Sequence, residues 1–150
     1  MSTSLLGRQG HRLLQLGVAL FLFTSLEGLA VPYFAVPRLG LSVHTLSAFL
    51  GVFLLTLGLL WPRLRLSAPA SRIAFWSVVY STFATIAAYL MGGLWGAGNT
   101  VIPLAAGLAH GSSFQELAIT VVLYSAAPTG LIALAIVLWG LRFEEQTLND

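Results

Sequence analysis

The sequence predicts an all-α integral membrane protein, a single domain of four transmembrane helices spanning residues 1–150, and three observations predict it. Hydrophobic residues make up 57% of the chain, and its mean hydropathy is +0.89. Charged residues make up only 8%, against about 25% in an ordinary soluble domain. Four apolar stretches each reach the roughly 20 residues that a helix needs to cross a bilayer. A surface this poor in charge does not stay dispersed in water, so the lipid bilayer is the chain's first partner. The same numbers exclude a soluble globular domain and intrinsic disorder. They exclude nucleic acid as a partner too: the pI of about 9.5 rests on seven arginines and no lysine, with no run dense enough to follow a phosphate backbone. The absence of cysteine excludes disulfides, thiolate catalysis and cysteine-based metal sites.

The four spans are 13–33, 41–61, 73–94 and 117–139, joined by short connections except for an outer loop over 95–116. The first is too long, and too polar around Thr24, Ser25 and Glu27, to read as a cleavable signal segment. Pro32 and Pro37 close it, Pro62 follows the second span, and Ser67, Pro69 and Ser71 fill the turn before the third. Pro128 predicts a kink within the fourth. Trp61, Trp95 and Trp139 fall at span ends, where an indole ring prefers the headgroup level. The outer loop is 22 residues long and apolar, a composition that fits a re-entrant segment or a lid better than a solvated linker.

Arginines set the orientation. Arg8, Arg12, Arg63, Arg65, Arg72 and Arg142 fall on one side of the membrane and Arg38 alone on the other, which places both termini in the cytoplasm of a bacterial-type inner membrane.

An ionisable group in hydrocarbon is costly and marks function more often than elsewhere. The spans hold two, Glu27 and His44. His44 lies in the string GLSVHTLSAFLG, where Gly40, Ser47 and Gly51 share its face at helical spacing. Two readings fit: a histidine hydrogen-bonded to a neighbouring helix across a small-residue seam, or an axial ligand to a haem iron. Glu27 reads either as a carboxyl reaching the outer headgroups or Arg38, or as a proton-transfer group or cation partner inside the bundle. The third span carries Thr82, Thr85 and Tyr89 on one face, which is either interhelical glue or the polar side of a substrate pocket, and the fourth carries Thr120 and Tyr124; the two tyrosines are candidate hydrogen-bond donors to a small substrate. His110 and Glu116, in or beside the outer loop, read either as solvated or as groups that a lid brings to a pocket mouth. Gly40, Gly51 and Gly58 on the second span permit close approach of a neighbouring chain.

The segments HRLLQLGVALFLFTSLEG, VPRLGLSVHTLSAFLGVFLLTLGLLWP, AFWSVVYSTFATIAAYLMGGLWGAGNTVIPLAAG and QELAITVVLYS, with VLWGLR at the end, cover the chain from His11 to Arg142. In these the chain resembles the hydroxylaminobenzene mutase family of small membrane isomerases. More distantly it is similar to styrene oxide isomerase, a four-helix membrane enzyme in which a histidine of the second helix ligates haem b between the subunits of a trimer. The resemblance places His44 on that ligand, with Ser47 and Gly51 beside it on the cofactor face. The resemblance implies an assembly of the same kind, a homo-oligomer and specifically a trimer, acting on a small aromatic substrate. Where styrene oxide isomerase has an asparagine six residues after its histidine, this chain has Leu50. Its pocket tyrosine falls on Tyr89, and its aspartate falls near Ser81.

The expected activity is therefore the rearrangement of an aromatic N-hydroxylamine to an ortho-aminophenol. On this resemblance haem b would act as the Lewis acid, with Tyr89, Glu27 and Asn99 orienting the migrating oxygen and moving its proton. An epoxide-to-aldehyde isomerase on the same scaffold is one alternative. A proton-coupled small multidrug transporter working through Glu27 is another.

Overall fold

A computed structural model describes residues 2–142, which are almost wholly helical and contain no strand. The elements are α1 (Ser2–Ala30), α2 (Pro37–Leu60), α3 (Ala68–Trp95), a short α4 (Pro103–Ala106) and α5 (Ser113–Gly140), with 3-10 turns at Val31–Tyr33 and Trp61–Arg63. The helices α1, α2, α3 and α5 are the four expected spans, and each is long and apolar enough to cross a membrane.

Helix boundaries follow local chemistry. Pro37 and Pro69 occupy first-turn positions, where the missing N–H costs no hydrogen bond. The Ser67 hydroxyl caps α3 by accepting from Ala70 N–H, and Ser112 with Gln115 forms a complete capping box on α5. Gly96 ends α3 in the left-handed region at φ 67°. α5 continues through Pro128. The largest departure from the expected boundaries is α1, which begins at Ser2 rather than Leu13. Its opening turns carry Arg8, Gln9, His11 and Arg12, too polar to count as a span. Leu6 and Leu13 are nonetheless buried on the inner side, and that packing holds the turns helical.

The helices form an open row. α1 packs along α2, α3 along α5, and α2 meets α3 in the middle, whereas α1 and α5 lie at opposite ends without extended contact. Glycines let α1 and α2 approach closely. A Cβ on Gly17 would stand 2.9 Å from the Gly51 carbonyl oxygen, and one on Gly10 would stand 2.8 Å from that of Gly58. The glycines of α2 expected to receive a neighbouring chain are thus consumed within this one: Gly51 and Gly58 face α1, and Gly40 is covered by Phe34. The reason is spacing, since Gly10 and Gly17 recur on α1 with the seven-residue interval of Gly51 and Gly58 on antiparallel α2.

Trp61 also departs from expectation. It is fully buried, not a headgroup anchor. Its indole N–H donates to Gln9 Oε1 at 3.1 Å, the Ser71 hydroxyl donates to the same oxygen, and Phe75 meets the ring edge to face at 6.3 Å. One buried glutamine therefore ties α1 to the end of α2 and the start of α3. Trp95 and Trp139 remain exposed, with the Arg142 guanidinium 3.6 Å over the Trp139 ring.

Candidate active site

The two ionisable groups of the spans meet. Position 28 of α1 is glycine, and the space where its Cβ would lie is taken by the His44 ring, whose Cε1 would be 2.8 Å away. The Cε1–Nδ1 edge of the imidazole is therefore set against α1, with Nε2 farther off at 3.9 Å from the same point. His44 Nδ1 stands 3.2 Å from the Thr24 carbonyl oxygen and 3.5 Å from Glu27 Oε2. The carbonyl can only accept, so Nδ1 carries the proton and donates it. Nε2 is then the ring nitrogen with an available lone pair, and among the described residues it has no hydrogen-bond partner. The His44 side chain is 38% exposed while that of Glu27 is 4% exposed, so the ring has one edge held inward and one facing out of the helix row.

Glu27 does not reach the headgroups or Arg38. Arg38 donates instead to the Leu104 carbonyl at 3.0 Å, tying the start of α2 to α4. Both Glu27 carboxyl oxygens and the Thr24 hydroxyl are buried and make no hydrogen bond in the chain as it stands. Such a group is costly to leave unmatched, which makes this the most polar unsatisfied spot within the spans. Ser47 and Gly51, expected beside His44 on a cofactor face, are enclosed: Ser47 is fully buried with its hydroxyl returned to the Val43 carbonyl at 2.6 Å, and Gly51 is covered by Gly17 and Phe21. Of the three, His44 alone presents an open edge. Among the described residues no cluster of three or more His, Cys, Asp or Glu side chains is placed to hold a bare metal ion, whereas haem needs one imidazole from the protein and carries its other four ligands itself.

A second feature is a cavity of about 360 Å³ between α2, α3 and α5, lined among others by Phe49, Leu50, Phe53, Ser81, Thr82 and Ala133. Its walls are almost entirely apolar, apart from the hydroxyls of Ser81 and Thr82. Phe49 and Leu134 at its border are exposed, so it opens sideways, toward lipid. Leu50 and Ser81, the positions that the resemblance matches to a pocket asparagine and aspartate, both line it. Of the third-span polar face, Thr82 is buried against this cavity and Tyr89 lies half-buried where the two apolar cores of the molecule join. Tyr124 is exposed.

The outer loop is a folded cover. Glu116, expected to be solvated, is buried, and it accepts backbone N–H groups of Gly98 at 2.8 Å, Thr100 at 3.1 Å and Gly111 at 3.0 Å. One carboxylate thereby pins both limbs of the loop to the start of α5. Asn99 donates from Nδ2 to the Gly107 carbonyl, so its side chain holds the loop. His110 is exposed, with Nδ1 3.7 Å from Glu116 Oε1. No sequence pattern marks Glu116 for this task, because its partners are backbone groups, which every residue has.

The family model for styrene oxide isomerase matches residues 9–142. Hydroxylaminobenzene mutase HabB of Ectopseudomonas oleovorans is 47% identical over 132 residues, covering 88% of this chain and 80% of the relative. Hydroxylaminobenzene mutase HabA of the same organism is 35% identical over 125 residues, covering 83% of this chain and 93% of the relative. No solved structure matches. Membrane-spanning helices, a buried carboxyl against a histidine and a lipid-facing cavity thus coincide with likeness over nearly the whole chain: this protein belongs to the styrene oxide isomerase family and is an intramolecular isomerase, a mutase.

Proposed function

We propose that this isomerase converts an aromatic N-hydroxylamine to the ortho-aminophenol, with haem b held by His44 Nε2 at a contact between copies of the chain. The observation that carries the reading is the orientation of His44: Nδ1 is tied to the Thr24 carbonyl beside Glu27, and Nε2 is left free on the exposed edge. That is the ligand geometry metal-binding histidines adopt, where an acceptor on the far nitrogen fixes the tautomer and the ring direction. When bound there, haem would supply a Lewis acid for the departing oxygen.

The chain's own residues do the rest. The cavity beside Phe49 and Phe53 takes the aromatic ring from the bilayer and keeps bulk water from the cation that forms as the N–O bond weakens. The reaction is redox-neutral and conserves atoms. The hydroxyl leaves nitrogen and reappears on the ortho carbon, and the proton lost from that carbon returns to nitrogen. Tyr89 is the hydroxyl donor assigned to the migrating oxygen. Glu27 holds His44, and its free carboxyl oxygen is the base nearest to that ring. Asn99 contributes by holding the cover closed. The bias of six arginines against one supports a reading with both termini on the cytoplasmic side of an inner membrane. The open ends of the helix row, at α1 and α5, are where further copies pack to complete a homotrimer.

Two names in the same family differ in substrate, and the cavity favours the hydroxylamine over an epoxide. Leu50 and Ser81 stand where styrene oxide isomerase carries an amide and a carboxyl, so this cavity lacks both. The test is to supply an arylhydroxylamine, and separately styrene oxide, to membranes holding the protein. The ortho-aminophenol is the expected product, and an aldehyde from the epoxide alone would overturn the substrate assignment. The haem assignment is read separately: purified protein from haem-replete cells is expected to show a Soret band that His44→Ala abolishes.

A further inference from the structure

At the end of α1 opposite to His44, three arginines converge on one pocket. Arg8 and Arg12 from α1 and Arg72 from α3, with Leu5, Gln9, Phe75 and Trp76, line a recess of about 200 Å³. All three arginines are exposed, and among the described residues none has a hydrogen bond, a carboxylate or a ring to pair with. The two described carboxylates, Glu27 and Glu116, are engaged at the other end of the spans. Three like charges around a small recess repel one another unless an anion lies between them.

The depth of the pocket and its apolar wall identify the anion. Arg12 immediately precedes the apolar run that starts at Leu13, and Arg72 that which starts at Ile73, so the guanidinium groups lie where hydrocarbon gives way to headgroups. Trp76 lies one turn deeper along α3 than Arg72. It is 63% exposed, with Phe75 edge to face behind it at 5.3 Å between ring centroids. A site with cationic groups at headgroup level above an outward aromatic ring matches a phosphate joined to an acyl chain. Guanidinium forks bind phosphate oxygens in pairs, and the indole face lies along hydrocarbon. A free phosphate would use the arginines and leave Trp76 without a role. We propose that this pocket is a binding site for one anionic phospholipid of the arginine-rich leaflet, with its phosphate among Arg8, Arg12 and Arg72 and an acyl chain along Trp76.

The test uses the full chain in phosphatidylcholine bilayers containing a minor fraction of phosphatidylglycerol with brominated chains, read by tryptophan quenching. Comparison with Trp76→Phe isolates the contribution of Trp76. Brominated phosphatidylglycerol is expected to quench Trp76 more strongly than brominated phosphatidylcholine at equal mole fraction. Arg72→Gln is expected to weaken that preference about fivefold, the factor one arginine contributes near an anionic surface. Arg8→Gln, on a different helix, is expected to weaken it likewise and keeps the test readable if Arg72→Gln does not fold. Arg63→Gln, on the same side of the membrane but outside the pocket, is expected to leave it unchanged. Equal quenching by the two lipids would overturn the proposal, as would an Arg63→Gln effect as large as that of Arg72→Gln, which would mean general surface charge. Displacement by inorganic phosphate at matched ionic strength would reassign the pocket to a free anion.

Discussion

Replacing Glu27 with glutamine keeps the volume beside His44 and changes only what its Nδ1 faces, so it separates positioning from packing. Removing such an outer partner of a metal-binding histidine costs about 10- to 100-fold in affinity or activity. Under the proposed haem ligation, the expected result for Glu27→Gln is a loss in that range with a shifted Soret maximum, against complete loss of the band for His44→Ala. Gly28→Ala tests the same ring from behind: its Cβ would stand 2.8 Å from His44 Cε1 and displace the imidazole. If His44 holds haem as proposed, visible spectroscopy should then show haem binding weakened although no proposed ligand atom has been removed. At this scale the sequence was informative about identity and silent about encounter. Scarcity of charge singles out Glu27 and His44, but whether residues 17 positions apart meet depends on how α1 and α2 are rotated against each other. Glu116 shows the opposite limit. Its three partners are backbone N–H groups, so no residue type records them.

Helices were legible where caps and prolines mark them and illegible where packing decides. Pro37, Ser67 and Ser112 start their helices in the order that local chemistry dictates, whereas the polar opening of α1 is helical because Leu6, Gln9 and Leu13 are covered. Trp61 was misread for the same reason: span ends suit indoles, but a neighbouring helix that runs past the span end buries one. Gln9→Ala would leave the Trp61 N–H and the Ser71 hydroxyl unmatched, at about 1–3 kcal/mol for each buried group, and should lower the thermal unfolding temperature in detergent. Gly17→Ala forces its Cβ to 2.9 Å from the Gly51 carbonyl oxygen, a backbone atom that cannot swing aside. Overpacking of that kind costs about 1–3 kcal/mol, and a lower unfolding temperature with an intact far-ultraviolet spectrum is the expected outcome. In the outer loop, Glu116→Ala is expected to speed proteolysis within residues 97–112 and hydrogen exchange at Gly98, Thr100 and Gly111, while the helices stay protected.

Across the whole molecule, the open row explains why a four-helix reading was sufficient for the class and insufficient for the site. Hydropathy counts the spans but says nothing about which are neighbours, and the cavity exists only because α2, α3 and α5 leave space between them. Filling it offers a direct check on its role. Ser81→Leu adds bulk to an apolar wall and, under the proposed reaction, is expected to lower kcat/KM for a bulky arylhydroxylamine about tenfold, the scale on which pocket methylenes discriminate, while leaving any absorption due to the proposed haem unchanged. An unchanged kcat/KM would place the aromatic ring elsewhere.

The close packing of α1 on α2 has a consequence for how the chain enters its membrane. Consecutive helices leave the ribosome together, and this pair completes its glycine seam and its Glu27–His44 contact with nothing supplied from downstream. The two residues that hydrocarbon tolerates least can therefore face each other as soon as the first hairpin partitions into lipid, with no contact from α3 required.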